Sequence, residues 1–153
     1  MRLTLRKATR QDCDDLYRFR NDPLTRKQSF NQQEILYEEH CQWFEQALED
    51  IQRVFYIGQN DKNEKCGVVR FDIRGESFAE INVIVNPQSR GQGIGRQLIS
   101  QTCSLFFAET KRRLILARIK ETNSASIFVF QKAGFVELFR YNEVIAFILL
   151  SFN

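Results

Sequence analysis

The run "FAEINVIVNPQSRGQGIGRQLISQTCSLFFAE", residues 78 to 109, constrains this chain more than any other stretch. Its opening alternates: Ile81, Val83 and Val85 fall on one face of an extended chain, Glu80, Asn82 and Ile84 on the other. Its second half has helical period, with Ile94, Leu98, Ile99, Thr102, Leu105 and Phe106 in one stripe. Between them, Gly91, Gly93 and Gly95 sit at every second position, flanked by Arg90 and Arg96. A strand that runs through such a turn straight into a helix leaves the first helical N–H groups unpaired and lets an anion come close to the backbone. Two polar groups, Glu80 and Asn82, on one face of a strand expected to be central imply a wet cleft there. A solvent-exposed strand start also accounts for Glu80.

The same change of period organises the rest of the chain. "RLTLRKA" reads as a strand, and "RQDCDDLYRFRN" as a short helix that stops at Asn21, because Pro23 disfavours helical geometry in the residue before it. "DPLTRKQSFNQQ" reads as a polar connection holding Phe30, followed by a helix from about 34 to 50 on Leu36, His40, Trp43, Phe44, Ala47, Leu48 and Ile51. "RVFYIGQ", "CGVVRFDIR" and "SFAEINVIVN" form three strands separated by turn-like segments, an antiparallel meander. After the glycine turn and its helix come a strand, "RRLILARIK", a helix, "NSASIFVFQKAG", closed by Gly134, and two strands turning near Asn142. The expected fold is α/β (α+β): a mixed, mostly antiparallel sheet of about seven strands with four helices, in a single domain over residues 1–153.

Two familiar phosphate turns fail here. A Walker A loop needs a Lys after its last glycine, and none follows; the dinucleotide fingerprint G-x-G-x-x-G meets Arg96 where its third glycine belongs. Arg90, Gly93 and Gly95 instead fit R-x-x-G-x-G, opening a helix after a strand that ends in Asn86 and Pro87. With "AEINVIVNP" before it and "NSASIFVFQKAGF" after it, the stretch resembles the acyl-CoA pyrophosphate loop of the GNAT superfamily of N-acetyltransferases, most strongly over residues 78 to 135.

That resemblance implies an enzyme that passes acetyl from acetyl-CoA directly to an amine, with no metal. It implies a splay between the central strand and its parallel neighbour, where backbone groups near Val83, Ile84 and Val85 pair with the pantetheine arm and one N–H polarises the thioester carbonyl. Arg90, Gly91, Gln92, Gly93, Ile94, Gly95 and Arg96 are then the coenzyme's phosphate loop, with Asn123, Ser126 and Phe130 on the following helix beside the arm. Asn123 serves equally as that helix's N-cap. An attacking alkyl amine has a pKa of about 10, so its proton needs an acceptor; Glu80, with Asn82 beside it, is the candidate. The family commonly has Tyr seven residues after the Asn, as the acid for the departing thiolate. This chain has Phe130, which donates no proton, so that acid is unassigned and a non-catalytic acyl-CoA binding module is an alternative.

Acceptor choice falls on the first two helices. The segment from Arg18 to Leu48 resembles the GNAT branch that acetylates nucleotide-linked 4-amino-4,6-dideoxy sugars of pseudaminic-acid type pathways; a similar layout occurs in enzymes acting on ribosomal-protein N-termini. The resemblance implies an amino sugar as acceptor, with a peptide N-terminus or another small amine as the alternative. Arg20, Asn21 and Arg26 would meet diphosphate and hydroxyl groups, and Phe30 or Trp43 would stack on a ring, although Trp43 and His40 also lie on the apolar stripe.

Bulk properties exclude other classes. A formal charge of +3 and pI near 8.7 are too mild, and too scattered, to require nucleic acid, yet suit an anionic small molecule. One His and four Cys without a C-x-x-C pair exclude a zinc site of ordinary spacing. Cys13, Cys41 and Cys103 fall on apolar helical positions, as small buried thiols in a reducing compartment. The longest apolar run, "VIAFILL", is far shorter than the roughly 18 residues of a membrane span, and no leader pattern opens the sequence, so a cytoplasmic protein is expected. "VIAFILLSF" lacks alternation, as a strand buried on both faces would, or one pairing with a second subunit in a homodimer.

Overall fold

The computed structural model describes residues 2–151; Met1, Phe152 and Asn153, the ends of the expected domain, lie outside the described residues. Seven strands form one sheet: β1 (Thr4–Lys7), β2 (Arg53–Gln59), β3 (Lys65–Ile73), β4 (Phe78–Val85), β5 (Leu114–Lys120), β6 (Val136–Tyr141) and β7 (Val144–Leu150), in the order β1-β2-β3-β4-β5-β7-β6. All neighbours are antiparallel except β4 and β5. The expected meander is β2-β3-β4, and the parallel pair stands where the late helices require a crossover.

Among the described residues five α-helices cover the sheet: α1 (Cys13–Asn21), α2 (Pro23–Gln28), α3 (Tyr37–Glu49), α4 (Ile94–Thr110) and α5 (Ser124–Lys132). One more helix is present than the sequence pattern predicts, because "PLTRKQ" folds as α2 rather than as a connection. Its start is built from local chemistry: Asp22 accepts from the Thr25 N–H, and Pro23 occupies the first turn, where its missing donor costs nothing. α3 starts at Tyr37, later than the predicted 34, and ends before Ile51. Leu36 and Ile51, assigned to its apolar stripe from periodicity, are instead 67% and 85% exposed.

The two faces of the sheet are different. α4 and α5 lie on the face that carries Ala79, Ile81, Val83, Ile115 and Phe147, with Leu98, Ile99, Phe106 and Phe130 packed into it. α4 approaches so closely that a Cβ on Gly67 would lie 2.7 Å from both the Ile84 carbonyl oxygen and Leu98 Cδ1. On the other face α1 and α3 pack Leu16, Phe44 and Ala47 over Phe55, Ile57 and Val68. β7 lies inside the sheet, hydrogen-bonded on both edges, so a second subunit is not needed to explain its apolar run up to Leu150. β6 forms the edge instead, with Val136, Leu138, Phe139 and Tyr141 exposed.

Asp12, in the short 3-10 turn before α1, fixes where that helix starts. Its buried carboxylate accepts two hydrogen bonds of 2.8 Å from Arg6 on β1, one from the Thr9 N–H, and an ion pair of 2.8 Å from Lys65 on β3. Burial alone would raise its pKa, but the bonds from Arg6, Lys65 and Thr9 outweigh it and hold the carboxyl well below the usual carboxylate range. A depressed folded pKa contributes stability above the unfolded value of about 4 and loses it as pH falls below that. Asp12→Asn should therefore cost about 2–4 kcal/mol at pH 7, while losing less than the parent between pH 5 and pH 3, in urea unfolding followed across that range. Equal losses in both proteins would remove Asp12 from the acid response.

Candidate active site

β4 and β5 pair only at Phe78↔Leu114, Ala79↔Ile115 and Glu80↔Leu116. Beyond Glu80 they part, while β4 keeps its pairing with β3 as far as Val85 and β5 keeps β7 as far as Lys120. The main chain of residues 82–85 thus has one edge free of strand partners. This is the splay expected between the central strands.

The splay opens into a cavity of about 950 Å³ that runs from the glycine turn to the underside of α2 and α3. At one end stand Gly91, Gly93, Ile94, Gly95 and Arg96. Gly91 and Gly93 have φ of +77° and +75°, and a Cβ built on either meets nothing within 4 Å. The left-handed backbone here favours glycine, and the space beside it is clear. No side chain caps α4, and the amides of Gly91 to Arg96 donate to no acceptor among the described residues. Clear space, unpaired amides and the α4 N-terminus together fit a diphosphate. Asn123, Ser126 and Phe130 of α5 line the same cavity, Asn123 also capping its helix by accepting from the Ser126 N–H at 3.2 Å. Phe130 is a buried ring, edge-on to Phe135, with no proton to give.

Three expected residues stand elsewhere. Gln92 lines a separate polar hollow with Asp15 and Lys65, because the turn points it away from the splay. Asn21 is off the cavity wall; both ends of its amide bond the backbone of Ile35, clamping the segment after α2. Glu80 is also off the wall, engaged by Arg118 at 2.6 Å and Arg74 at 3.5 Å. Its position is the last paired rung, where Arg118 reaches back across the opening strands. Arg90 does line the cavity, but its guanidinium bonds Asp22 and Thr25 at 2.6 and 2.8 Å, so it ties the glycine turn to the N-terminus of α2.

The other end of the cavity is walled by Arg20, Arg26, Phe30 and Trp43, as expected, and by Arg70, Asn82, Arg118 and Lys120. Arg70 and Asn82 are register partners, and continuing the β4–β5 register past Glu80↔Leu116 places Arg118 opposite Asn82 across the gap. Trp43 is half-buried between the roles foreseen for it: it packs on Phe55 in the core and carries Arg20 and Arg70 over its ring at 4.9 and 5.5 Å. Phe30, more than half exposed, holds Arg118 at 5.1 Å. His40 is fully buried, stacked on Phe44, its Nε2 bonded to the Cys13 carbonyl at 3.0 Å, and burial depresses its pKa. It is a packed, neutral ring.

Charge on this wall has one sign. Among the described lining residues there are Arg20, Arg26, Arg70, Arg90, Arg96, Arg118, Lys120 and Lys132, and no Asp or Glu. Arg70, Arg90 and Arg118 have carboxylate partners behind the wall, in Asp72, Asp22 and Glu80. Arg20 has none among the described residues, and burial, with Arg70 nearby, lowers its pKa. Arg26 has a buried Nε without a partner. Arg70 and Arg118 went unassigned from sequence, although each interrupts an apolar run in its strand, Arg70 between Val69 and Phe71 and Arg118 between Ala117 and Ile119.

Comparison with known proteins agrees with this geometry. The model of the acetyltransferase (GNAT) domain matches residues 2–136, most of the chain. The chain therefore belongs to the GNAT acetyltransferase family and is an N-acetyltransferase that uses acetyl-CoA. No curated protein matches it. Among solved structures it is similar to spermidine N-acetyltransferase from Vibrio cholerae in complex with CoA and spermine, at a TM-score of 0.89 and 20% identity over 97% of this chain and 95% of that one. A dodecameric structure of spermidine N-acetyltransferase from the same organism superposes at 0.79, again at 20% identity, over 97% and 93%. At such identity the likeness is one of fold.

If the glycine turn holds the diphosphate, Gly93→Val should raise the KM for acetyl-CoA at least tenfold by filling the clear space, with about 1–2 kcal/mol of stability lost to its positive φ. Steady-state kinetics alongside thermal melting separate the two effects. An unchanged KM in a folded variant would discredit the loop assignment.

Proposed function

We propose that this enzyme acetylates the primary amine of a small acceptor that also carries a negative charge, a phosphate or carboxylate. One observation carries the reading: the acceptor half of the cavity is walled by Arg20, Arg26, Arg70, Arg118 and Lys120 and, among the described residues, by no carboxylate. Arg20 and Arg26 are partly desolvated cations without a carboxylate in contact, and an acceptor's anion would supply it. Phe30 and Trp43 offer ring faces beside them. A sugar nucleotide bearing an amino group has all of these features, and an amine linked to a simpler phosphate or carboxylate has the first.

The similar Vibrio enzyme structure holds spermine, and that likeness favours a small amine in general over an amino sugar in particular. A polyamine, however, is a string of ammonium groups and would meet like charges here. The same cations help the chemistry: a positive wall disfavours the protonated form of the amine, so more of it is the neutral nucleophile at a given pH. The free main-chain edge of residues 82–85 supports a role in holding the pantetheine arm and polarising the thioester carbonyl. The amine adds to that carbonyl, its proton passes to water, and the carbon–sulfur bond breaks. The thiolate, with a pKa of about 8.5, leaves without needing the absent Tyr; Ser126, on the wall, is a hydroxyl among the residues assigned to the coenzyme arm.

Glu80 in this scheme positions Arg118 and takes no proton. Glu80→Gln should raise the acceptor KM about three- to tenfold and leave the pH profile of kcat unmoved, whereas a base would shift it. A panel of spermidine, a peptide with a free N-terminus and a nucleotide-linked amino sugar, with thiol release as readout, tests the class. Turnover should favour the anionic amine and weaken with salt, and Arg20→Ala should lower its kcat/KM about 10- to 100-fold without changing the KM for acetyl-CoA. Preference for spermidine would overturn the reading.

A further inference from the structure

We infer that Cys13 and Cys41 are a redox-responsive dithiol that closes to an intramolecular disulfide under peroxide, stapling α1 to α3. The inference stands apart from the identity of the acceptor. The two sulfurs lie 3.2 Å apart, Cys13 at the first residue of α1 and Cys41 in the second turn of α3, both partly exposed, whereas Cys66 and Cys103 are buried. A bond requires about 2 Å, so the sulfurs must approach by about 1 Å, within reach of side-chain rotation. Packing does not account for the pair: Cys13 only borders the smaller apolar cluster, and Cys41 belongs to neither. Metal binding does not either, since no group of three or more His, Cys, Asp or Glu among the described residues could hold an ion.

The step balances with hydrogen peroxide as the named oxidant. The Cys41 thiolate attacks one peroxide oxygen, the O–O bond breaks, and sulfenic acid and hydroxide result. The Cys13 sulfur then attacks the Cys41 sulfur, the S–S bond forms, and the sulfenic hydroxide leaves with the Cys13 proton. Two thiols lose two hydrogens and one peroxide becomes two waters. Either sulfur can lead, with the other resolving; burial, the neighbouring sulfur and the carboxylates of Asp14 and Glu45 push the Cys13 thiol up. Tyr37, whose hydroxyl donates to Asp14, and His40, bonded to the Cys13 carbonyl, complete the groups facing the pair. Closure is then slow at neutral pH and faster in mild alkali.

What the staple encloses gives it meaning. The 28-residue separation between the two cysteines spans Arg20, α2, Arg26 and Phe30 and ends two residues before Trp43, whereas the glycine turn lies outside it. Oxidation would restrain the acceptor wall directly and reach the coenzyme end only through the bonds of Arg90 to Asp22 and Thr25.

The test uses the reduced, full-length protein treated with hydrogen peroxide, then alkylated and digested without reductant. Expected are a Cys13–Cys41 cross-linked peptide, loss of two of the four free thiols, and a rise in Tm of about 5–10 °C that dithiothreitol reverses. Cys41→Ser should abolish all three responses and Cys66→Ser should keep them. Four thiols still open to alkylation, loss only through intermolecular dimers, or a single cysteine carried on to sulfinic acid would each overturn the inference.

Discussion

The separation of β4 from β5 after three paired rungs is the constraint on which the site depends. Buried backbone N–H and C=O groups almost always find partners, and two central strands that stop pairing in mid-sheet leave such groups facing one another across a gap. β3 and β7 hold the outer edges of these strands over their whole length, so the gap stays open and the free edges do not collapse into the ladder. A linear ligand with amide groups can restore the missing bonds. The glycine turn continues from the end of β4 straight into α4, so the unpaired strand edge and the unpaired helix amides belong to one continuous stretch of main chain.

Electrostatics then divides the cavity by task. At the glycine turn, main-chain dipoles would meet the coenzyme's anion in the proposed reading, with Arg96 beside them. At the far end the anion-seeking groups are side chains on α1, α2, β3 and β5. The carboxylates that do exist, Asp22, Asp72 and Glu80, stand behind the wall and aim Arg90, Arg70 and Arg118 forward. This arrangement fits a reaction whose two substrates are both anionic, joined at a neutral amine. Asp22 also links the two halves: as the cap of α2 and the partner of Arg90, it connects the acceptor wall to the coenzyme turn.

Much of this was legible in the sequence, and the misses have physical reasons. Alternation and helical period located the meander, the parallel pair and four of the five helices, because those elements bury one face against a core. α2 buries no residue, so it left no apolar stripe; its only signals were Asp22 and Pro23, a cap and a first-turn proline, which read as easily as a stop for α1. Leu36 and Ile51 continued the stripe of α3 by spacing, but Leu36 is its N-cap and Ile51 lies beyond its C-cap. At the site, the glycine turn, Asn123, Arg20, Arg26, Phe30 and Trp43 were reached through the family resemblance that the loop and helix motifs carry. Strand parity put Glu80 on the correct face of the sheet, yet parity does not reveal that Arg118, 38 residues later, occupies its carboxylate. The sequence alone also could not bring Cys13 to Cys41, since that contact exists only once α1 packs on α3.

The most direct measurement of the central claim is amide hydrogen exchange with and without coenzyme A. Binding should slow exchange in two places, the free edge of β4 at residues 82–85 and the turn and first helical residues at 91–96, with the β1–β2 edge of the sheet unchanged. Protection confined to other elements, or none at saturating coenzyme, would contradict the account.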